Sequence, residues 1–439
     1  MVSEVVERVR EAGVVGAGGA GFPTHVKLGS RVDTYIANAA ECEPLLCKDQ
    51  ELMQRDGALM VEGLRHAMRS TGASRGVIAV KAKYEAAIEA LRPHAGADIE
   101  FYLYESFYPA GDEFVIVYDV TGRLIPAGGI PLQVGCAVNN VETLINIARA
   151  MQGVPVTHTA LTVTGAVRTP VSAIVPVGVT AREVLELAGG SLVDDPVLLD
   201  GGAMMGKPVT DLSSRITKTS GGYIVLPRDH SLARRKLLGE DTKVHISRAA
   251  CDQCSFCTEL CPRYLLGYAV EPHKVMRSVG FNGDQELEWG RFGQLCCECS
   301  LCDLYACPED LPPKDMCVRG KRLVQQSGTR PEPLAGRGQV HPMRDARRVP
   351  LSRLISRLDL GRWNVHAPLI DRVLDPAEVS IALRQHIGAP SVPVVSVGQA
   401  VQLGQLIAKI PDGQLGANIH ASIKGRVTCI DATSIGLAR

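Results

Sequence analysis

Nine of the 14 cysteines lie in one short stretch of the chain, between Cys251 and Cys307. They form two similar runs, Cys251-x2-Cys254-x2-Cys257-x3-Cys261-Pro262 and Cys296-x2-Cys299-x2-Cys302-x4-Cys307-Pro308. Three thiolates at this spacing surround one iron–sulfur cubane, and the thiolate before proline ligates the other cluster when a domain holds two. The spacing therefore predicts two [4Fe–4S] clusters and a redox protein. Because such clusters carry one electron at a time, at least one further redox site is expected.

The same spacing pattern assigns each thiol to one of the two clusters. The first set is Cys251, Cys254, Cys257 and Cys307, and the second is Cys296, Cys299, Cys302 and Cys261. Cys297 adds an ambiguity, and we choose Cys296 because it preserves the x2 spacing. The alternative is a pair of zinc sites with four thiolates each. Structural zinc sites typically use two CxxC pairs and need no Cys-Pro ending, so clusters are favoured.

Length and charge exclude several other classes of protein. The 439 residues suffice for several domains with buried cores. Lys+Arg and Asp+Glu both total 47, and this zero net charge argues against a nucleic-acid reader. No stretch approaches about 18 uncharged apolar residues, so we expect no transmembrane segment. The N-terminal MVSEVVERVREAG lacks an apolar signal core, and we expect the protein in the cytoplasm.

Periodicity predicts a multidomain α/β architecture. Strand-like stretches at 34–38 and 77–81 alternate with helical ones at 50–71 and 84–92, which indicates an α/β layer to about residue 155. A small mixed β module follows, and in it Thr180-x-x-Glu183 forms a capping box that opens a helix.

The last third of the chain shows three further patterns. Residues 327–350 are rich in Pro, Gly and Arg, which indicates an exposed linker. Apolar residues at 351, 354, 355 and 358 mark an amphipathic helix, read as a packing helix or, alternatively, an encapsulation or shell-docking element. From about residue 386, short strands and glycine turns predict a compact all-β module.

A glycine loop at 16–21 matches G-x-G-x-x-G. The preceding segment is helical in pattern and Phe22-Pro23 follows, so this is not the ordinary dinucleotide motif. Glycines allow backbone N–H groups to approach an anion, and a loop that holds a phosphate or flavin is favoured over a bland turn.

Four segments carry a specific resemblance. They are GAGGAGFPTHVKL at 16–28, NAAECEP at 38–44, YPAGDE at 108–113 and VNNVET at 138–143. Together and in this order they resemble the NADH-oxidising flavoprotein subunit of respiratory complex I and the C subunit of the Rnf electron-transport complex. Ala40 and Asp112 depart from the pattern of the complex I subunit.

The resemblance implies bound FMN, with NADH as the electron donor. The FMN-binding residues that it implies are Gly18, Gly19, Gly21, Lys27, Asn38, Glu41, Gly111, Asn139, Asn140 and Thr143. Glu113 would lie beside the stacked nicotinamide and flavin, as the catalytic residue.

The resemblance also implies a division into modules. Residues 1–155 would be a Rossmann-like FMN/NADH-binding α/β domain, and 156–235 a β-grasp (SLBB) module. An α-helical, ferredoxin-like dicluster domain would span 240–326, and a linker with the amphipathic helix would span 327–385. Residues 386–439 resemble the barrel-sandwich hybrid module of biotinyl carriers, without the Met-Lys-Met hairpin that carries biotin.

This module order, with CCECSLCDLYACPEDLPPKDMC and YPAGDEF, resembles the cobalamin reductases of propanediol-utilisation microcompartments. The resemblance implies an NADH-dependent oxidoreductase that reduces cobalamin for coenzyme B12 recycling inside a bacterial microcompartment. An adenosyltransferase and a shell protein are the implied partners. Two alternatives stay open: an electron relay that docks on the shell without its own NADH activity, and an Rnf-C-like ferredoxin–NAD oxidoreductase subunit.

Overall fold

The first module is built on a parallel sheet. In this computed structural model, which describes residues 4–281, 284–328 and 331–439, the sheet has four strands. In spatial order they are Ile99–Tyr104, Arg75–Lys81, Thr34–Ala39 and Cys136–Asn140. All three pairings are parallel. The two central strands are buried on both faces, which explains why they read as continuous apolar runs rather than as alternating ones.

Five helices cover one face of this sheet, and a sixth helix covers the other face together with the cluster module. The helices are Glu4–Glu11, Thr24–Leu28, Lys48–Thr71, Glu85–Ala95, Glu113–Thr121 and Val141–Met151. Tyr35 and Ala37 share a core with all of these except Glu113–Thr121. Ile36, on the opposite face, packs in a core with that helix and with Leu266 and Tyr268 of the cluster module.

A five-stranded mixed sheet forms the centre of the molecule. In spatial order its strands are Val171–Pro176, His158–Gly165, Gly222–Pro227, Pro196–Asp200 and Lys207–Val209, with the helix Ala181–Leu187 beside them. Only the second and third strands pair in parallel. One face shares a core with the C-terminal module, and the other shares a core with residues of the cluster module and of the helix Leu351–Arg357.

The cluster module is helical, as predicted. Its helices are Glu240–Ala250, Phe256–Glu259, Pro262–Leu265, Pro272–Ser278, Asp284–Gly290 and Pro313–Gln326, with a π-helical turn at Cys302–Ala306. The helix Ser231–Leu237 connects the central sheet to this module. Short 3₁₀ turns lie at Pro131–Val134, Arg291–Gly293, Asp345–Arg347 and Gly361–Trp363.

The C-terminal module consists of two small sheets. One contains Glu378–Ala382, Ser434–Ala438, Gly425–Ile430 and Ala400–Val401, and the other contains Val392–Pro393, Leu406–Lys409 and Ile419–His420. The pairings are antiparallel. The first strand of this module lies before residue 386, the start of the all-β pattern in the sequence.

The segment from 331 to 358 is less exposed than its composition predicts. Arg344 is buried, and its guanidinium lies 2.7 Å from the carboxylate of Asp119. Val349–Pro350 pairs with Phe107–Tyr108 as a two-stranded ribbon. Residues 335–339 are exposed, as the linker prediction expects, whereas Arg344 and Val349 are buried because this end of the segment contacts the first module. The helix Leu351–Arg357 buries its apolar face, which confirms the packing role.

No helix in the described part of the chain combines the length and the apolar character that crossing a bilayer requires.

Candidate cofactor sites

The glycine loop lies against the first turn of the helix Val141–Met151. The Ala17 N–H donates to the buried Thr143 hydroxyl at 2.9 Å, and a Cβ on Gly18 would lie 3.5 Å from Asn140. Gly19 has a φ of +100°, and a Cβ there would meet no atom within 4 Å. The loop thus combines flexible backbone, open space and the positive end of a helix, a combination that fits a phosphate group.

A second group of predicted residues forms around Lys27. Its ammonium donates to Glu113 Oε1 at 3.1 Å and to the Val138 carbonyl at 2.8 Å. The Glu113 side chain is 45% exposed, so its carboxylate remains open to solvent. The structure therefore brings a lysine from the glycine-loop segment to the residue expected beside the nicotinamide.

Asn38 and Gly111 also meet. The Asn38 amide donates to the Gly111 carbonyl at 2.9 Å, and the Gly111 N–H donates to the Cys42 thiol at 3.3 Å. Glu41 has another contact: its carboxylate accepts from the backbone N–H of Asp49, at 3.1 Å, near the start of a helix. Burial, followed by the Asp49 charge, raises the pKa of Glu41 to about 7.

The two asparagines at the end of the fourth strand differ in their surroundings. Asn140 faces the glycine loop, caps the helix through the Glu142 N–H and donates to Asp49 Oδ2 at 2.6 Å. Asn139 is buried, and its amide donates to the Tyr35 hydroxyl at 2.9 Å. Among the predicted FMN residues, Asn139 is therefore held in the core of the sheet.

The two cysteine runs repeat one backbone conformation. Positive φ angles occur at Gln253 and Ser255 in the first run and at Glu298 and Ser300 in the second. This register pairs each cysteine of the first run with one cysteine of the second: Cys251 with Cys296, Cys254 with Cys299 and Cys257 with Cys302. In the same register Cys297 corresponds to Asp252, so the first run has no cysteine at the position of Cys297.

The extra residue of the second run is absorbed in a π-helical turn. The Cys307 N–H donates to the Cys302 carbonyl, five residues back, at 3.1 Å, whereas the Cys261 N–H donates to the Thr258 carbonyl, three residues back, at 3.0 Å. Cys261 and Cys307 nevertheless have nearly the same backbone angles, with φ of −69° and −74° and ψ of 121° and 119°. One inserted residue per π turn is the usual way a helix accommodates such an insertion.

The thiols gather into two groups. Burial first, and then the neighbouring thiols of Cys251 and Cys307, raise the pKa of Cys257 to about 12. Burial and the thiols of Cys297 and Cys296 likewise raise the pKa of Cys261. The Cys307 neighbour of Cys257 and the Cys296 neighbour of Cys261 each cross between the runs, and four thiolates per group is the donor set of a [4Fe–4S] cluster. Cys297, the other thiol beside Cys261, stands outside the assigned set. No three His, Cys, Asp or Glu side chains in the described residues are arranged to share a single metal ion.

Arg263 is a residue that the sequence reasoning missed. Its guanidinium donates to Asp112 at 2.8 Å and lies 3.6 Å from the centre of the Phe114 ring. Both ionic partners are largely buried, and Arg263 also lies beside the Cys297 thiol. Arg263 follows the Cys-Pro of the first run, so this contact ties the cluster module to the YPAGDEF segment. A second tie is the Tyr108 hydroxyl, which donates to the Cys299 carbonyl at 2.8 Å.

Glu43 was also missed. Its carboxylate accepts from the backbone N–H groups of Met204 and Met205 at 2.8 and 2.9 Å. Gly202 has a φ of +115°, and any Cβ there would lie 2.5 Å from the Glu43 carboxylate. The NAAECEP segment is thus anchored to a loop of the central sheet by backbone hydrogen bonds.

The C-terminal module closes over the glycine loop. The Ile387 N–H donates to the Gly21 carbonyl at 3.0 Å. Nearby, the fully buried ammonium of Lys218 donates to the carbonyls of Gly13 and Asn418, each at 2.8 Å. Burial lowers the pKa of Lys218 to about 7. These three contacts join the first, central and C-terminal modules beside the proposed flavin site.

Family models match three parts of the chain. They are the Nuo51 FMN-binding domain over residues 9–149, a 4Fe–4S dicluster domain over 250–312 and the RnfC barrel sandwich hybrid domain over 364–438. These matches confirm the predicted FMN-binding, dicluster and barrel-sandwich modules.

Two curated proteins are similar along the whole chain. The cobalamin reductase PduS of Salmonella typhimurium is 45% identical, covering 99% of this chain and 96% of its own length. The protein of the same name from Citrobacter freundii is 44% identical, with the same coverage of 99% and 96%. The C subunit of the Na⁺-translocating ferredoxin:NAD⁺ oxidoreductase complex of Acetobacterium woodii is 35% identical over 60% of this chain and 58% of its own length.

Proposed function

The chain belongs to the family of the cobalamin reductase PduS, and we propose that it is an NADH-dependent flavin and iron–sulfur enzyme that reduces cobalamin. The observation that carries this proposal is similarity over the full length to reductases of that name, in a chain whose FMN-binding and dicluster modules both match. When bound, FMN accepts a hydride as an electron pair and releases single electrons, which the two clusters carry.

For the FMN site, we propose that the loop 16–21 and the N-terminus of the helix Val141–Met151 hold the phosphate. The support is the contact of Ala17 with Thr143, the approach of Gly18 to Asn140 and the open space at Gly19. Lys27 orients the Glu113 carboxylate beside the nicotinamide position through its 3.1 Å ion pair. The same lysine provides positive charge on the flavin side of the pocket.

For the clusters, we propose the eight thiols assigned above, with Cys296 rather than Cys297 as a ligand. The support is the shared backbone of the two runs, which places Cys297 opposite Asp252. Arg263 then acts as a positioning residue, because its hydrogen bond to Asp112 joins the flavin segment to the segment that follows Cys261, a proposed ligand of the second cluster.

The finer architecture and the cellular setting also belong to this proposal. We divide the chain into a Rossmann-like domain at 1–155, a β-grasp module at 156–235, a dicluster domain at 240–326 and a barrel-sandwich module at 386–439, to which the strand Glu378–Ala382 adds an edge. A bacterial microcompartment, an adenosyltransferase and a shell protein are the proposed setting and partners, since the related reductases carry the PduS name.

Anaerobic stopped-flow spectroscopy tests the function. The holoprotein is mixed with NADH while flavin bleaching is followed, and hydroxocobalamin is then added. Rapid bleaching followed by cob(II)alamin formation is expected. Bleaching without corrinoid reduction would indicate another acceptor, such as a ferredoxin. No bleaching, with clusters that dithionite still reduces, would support the electron relay and reject the enzyme. Lys27→Met should slow bleaching, whereas Lys83→Met, an exposed lysine of the same module, should not.

A further inference from the structure

A cavity of about 340 Å³ opens between the central sheet and the cluster module. Residues 205–208 and 235–238 line one side, and residues of the second cysteine run and its continuation line the other. None of the residues assigned above to NADH, FMN or cluster ligation lines this space.

The cavity touches the segments that hold both proposed clusters. Glu298 and Ser300 lie between the ligands of the second cysteine run, and Asp303 follows Cys302 directly. Asp310 and Leu311 lie shortly after Cys307, a ligand of the other cluster. A molecule in this cavity would therefore contact residues that neighbour the assigned ligands of both clusters in the sequence.

Most of the acidic groups in the cavity wall already have cationic partners. Arg235 lies 2.9 Å from Asp310, and Lys243 lies 2.6 Å from Asp315. Glu298 lies 2.6 Å from Lys321. These pairs leave a wall that is polar and nearly neutral, rather than one that attracts a strongly charged ligand.

Two lysines are not paired with these acids. The Lys236 ammonium donates to the carbonyls of Met204 and Gly206 at 3.0 and 2.8 Å, which occupies two of its three N–H donors. Lys207 is exposed at the rim, and Leu238 presents an apolar side chain that is 37% exposed. The cavity thus offers cationic donors, paired carboxylate acceptors and an apolar contact.

We propose that this cavity is where the corrinoid docks, receiving one edge of the ring with its primary amide side chains. Lysine donors match amide carbonyls, carboxylates match amide N–H groups, and Leu238 matches the apolar flank of the ring. Drug-sized ligands occupy about 300–1,000 Å³, so a corrinoid, which is much larger, enters only by its edge. This inference rests on the proposed function and specifies its substrate site.

The reduction of the docked corrinoid by NADH balances in electrons. NADH gives NAD⁺, a proton and two electrons, and two aquacob(III)alamins each take one electron and release their water. The site holds one corrinoid at a time, so two corrinoids reduced in succession take the two electrons of one NADH, and no other reductant is needed.

A cavity-filling variant tests the site. Leu238→Trp should raise the Kd of hydroxocobalamin for the oxidised holoprotein, measured by equilibrium dialysis, and its KM in the NADH assay, each at least fivefold. Leu192→Trp is the matched control, because Leu192 is an exposed leucine, at 61%, in the adjoining β-grasp module and does not line the cavity. NADH–ferricyanide turnover and the flavin and iron contents should be unchanged in both variants. Lys207→Glu, at an exposed position, provides a second test of the wall.

The outcomes separate the two proposals. A wild type that reduces hydroxocobalamin, with Leu238→Trp and Lys207→Glu both retaining the wild-type Kd and KM, overturns the docking site alone. A wild type that binds hydroxocobalamin with the expected sensitivity to these variants, but never reduces it, rejects the proposed function and supports the site. A wild type that does not bind hydroxocobalamin overturns the site.

Discussion

Replacing Lys218 by methionine should change how the stability of the protein depends on pH. The Lys218 ammonium is fully buried and, within the described residues, donates only to the Gly13 and Asn418 carbonyls. No salt bridge to it occurs among the residues that the structure describes. Burial lowers its pKa from an ordinary 10.5 to about 7. Above that pH the folded protein holds the neutral amine, while the unfolded chain still binds the proton.

The sign and size of the effect follow from this difference. Because the unfolded state binds more protons between the two pKa values, the free energy of unfolding rises with pH across that window. Each pKa unit corresponds to about 1.4 kcal/mol, so raising the pH from about 7.5 to about 9.5 should stabilise the wild type by roughly 2–3 kcal/mol through this group. The destabilisation by Lys218 is fully present below pH 7.

Titration of the neighbouring histidines does not produce the same dependence of stability on pH. His420 and His386 face the same junction between modules. Burial, and after it other causes that include the Lys218 charge, lowers the pKa of both imidazoles, and that of His420 falls to about 3. Both imidazoles are therefore neutral throughout the alkaline window. The variant also leaves two carbonyls unpaired, at a cost of about 1–3 kcal/mol each, but this cost does not depend on pH.

The assay is urea unfolding of the holoprotein without oxygen, followed by flavin fluorescence, for wild type, Lys218→Met and Lys83→Met. The exposed Lys83 provides the control for loss of a lysine charge. We expect the difference between wild type and Lys218→Met to shift by roughly 2–3 kcal/mol between the two pH values, in favour of wild type at the higher pH. Parallel pH profiles for wild type and Lys218→Met would refute the reasoning.

Three further variants test the sites, two of them against a matched control variant. Cys296→Ser should lower the iron content by about half, since one of two clusters is lost, while Cys297→Ser should retain the iron. Colorimetric iron analysis measures both variants, and equal iron losses would contradict the choice of Cys296 as the ligand. Arg263→Met breaks a buried ion pair and should lower the free energy of unfolding by about 3–5 kcal/mol. It should also slow the reduction of the clusters by NADH, which freeze-quench EPR follows. An unchanged rate of cluster reduction would contradict the positioning role of Arg263. Gly21→Ala should accelerate FMN loss on dialysis because its Cβ would lie 3.1 Å from His386 at a φ of +65°. Gly153→Ala, at a φ of +79° with open space around it, should not, and equal FMN loss from both would argue against the contact.

Local patterns in the sequence predicted the elements well. The apolar runs at 34–38 and 77–81 are strands of one parallel sheet, because strands buried on both faces need continuous apolar residues. The capping box also forms, with the Glu183 N–H donating to the Thr180 hydroxyl at 3.1 Å. Each of these features is encoded within a few neighbouring residues.

Contacts between modules were not predictable in the same way. Arg263 and Asp112 are 151 residues apart, and a single ion pair at that separation leaves no periodic signal. Arg344 looked like part of an exposed linker because arginine-rich composition is common to solvated segments and to chains of buried ion pairs. The residue inserted before Cys307 was visible in the sequence, but its accommodation by a π turn depends on backbone geometry.

The contact between Ile387 and Gly21 has a consequence for how the protein is made. Synthesis proceeds from the N-terminus, and N-terminal domains fold first, at about 5–20 residues added per second. The glycine loop emerges early, yet its neighbour in the fold lies more than 360 residues further along the chain. The loop therefore acquires its native surroundings only after residue 387 and the module around it have been made. A chain that stops before residue 387 would lack this contact, so a stably seated flavin would mark a polypeptide that extends beyond that point.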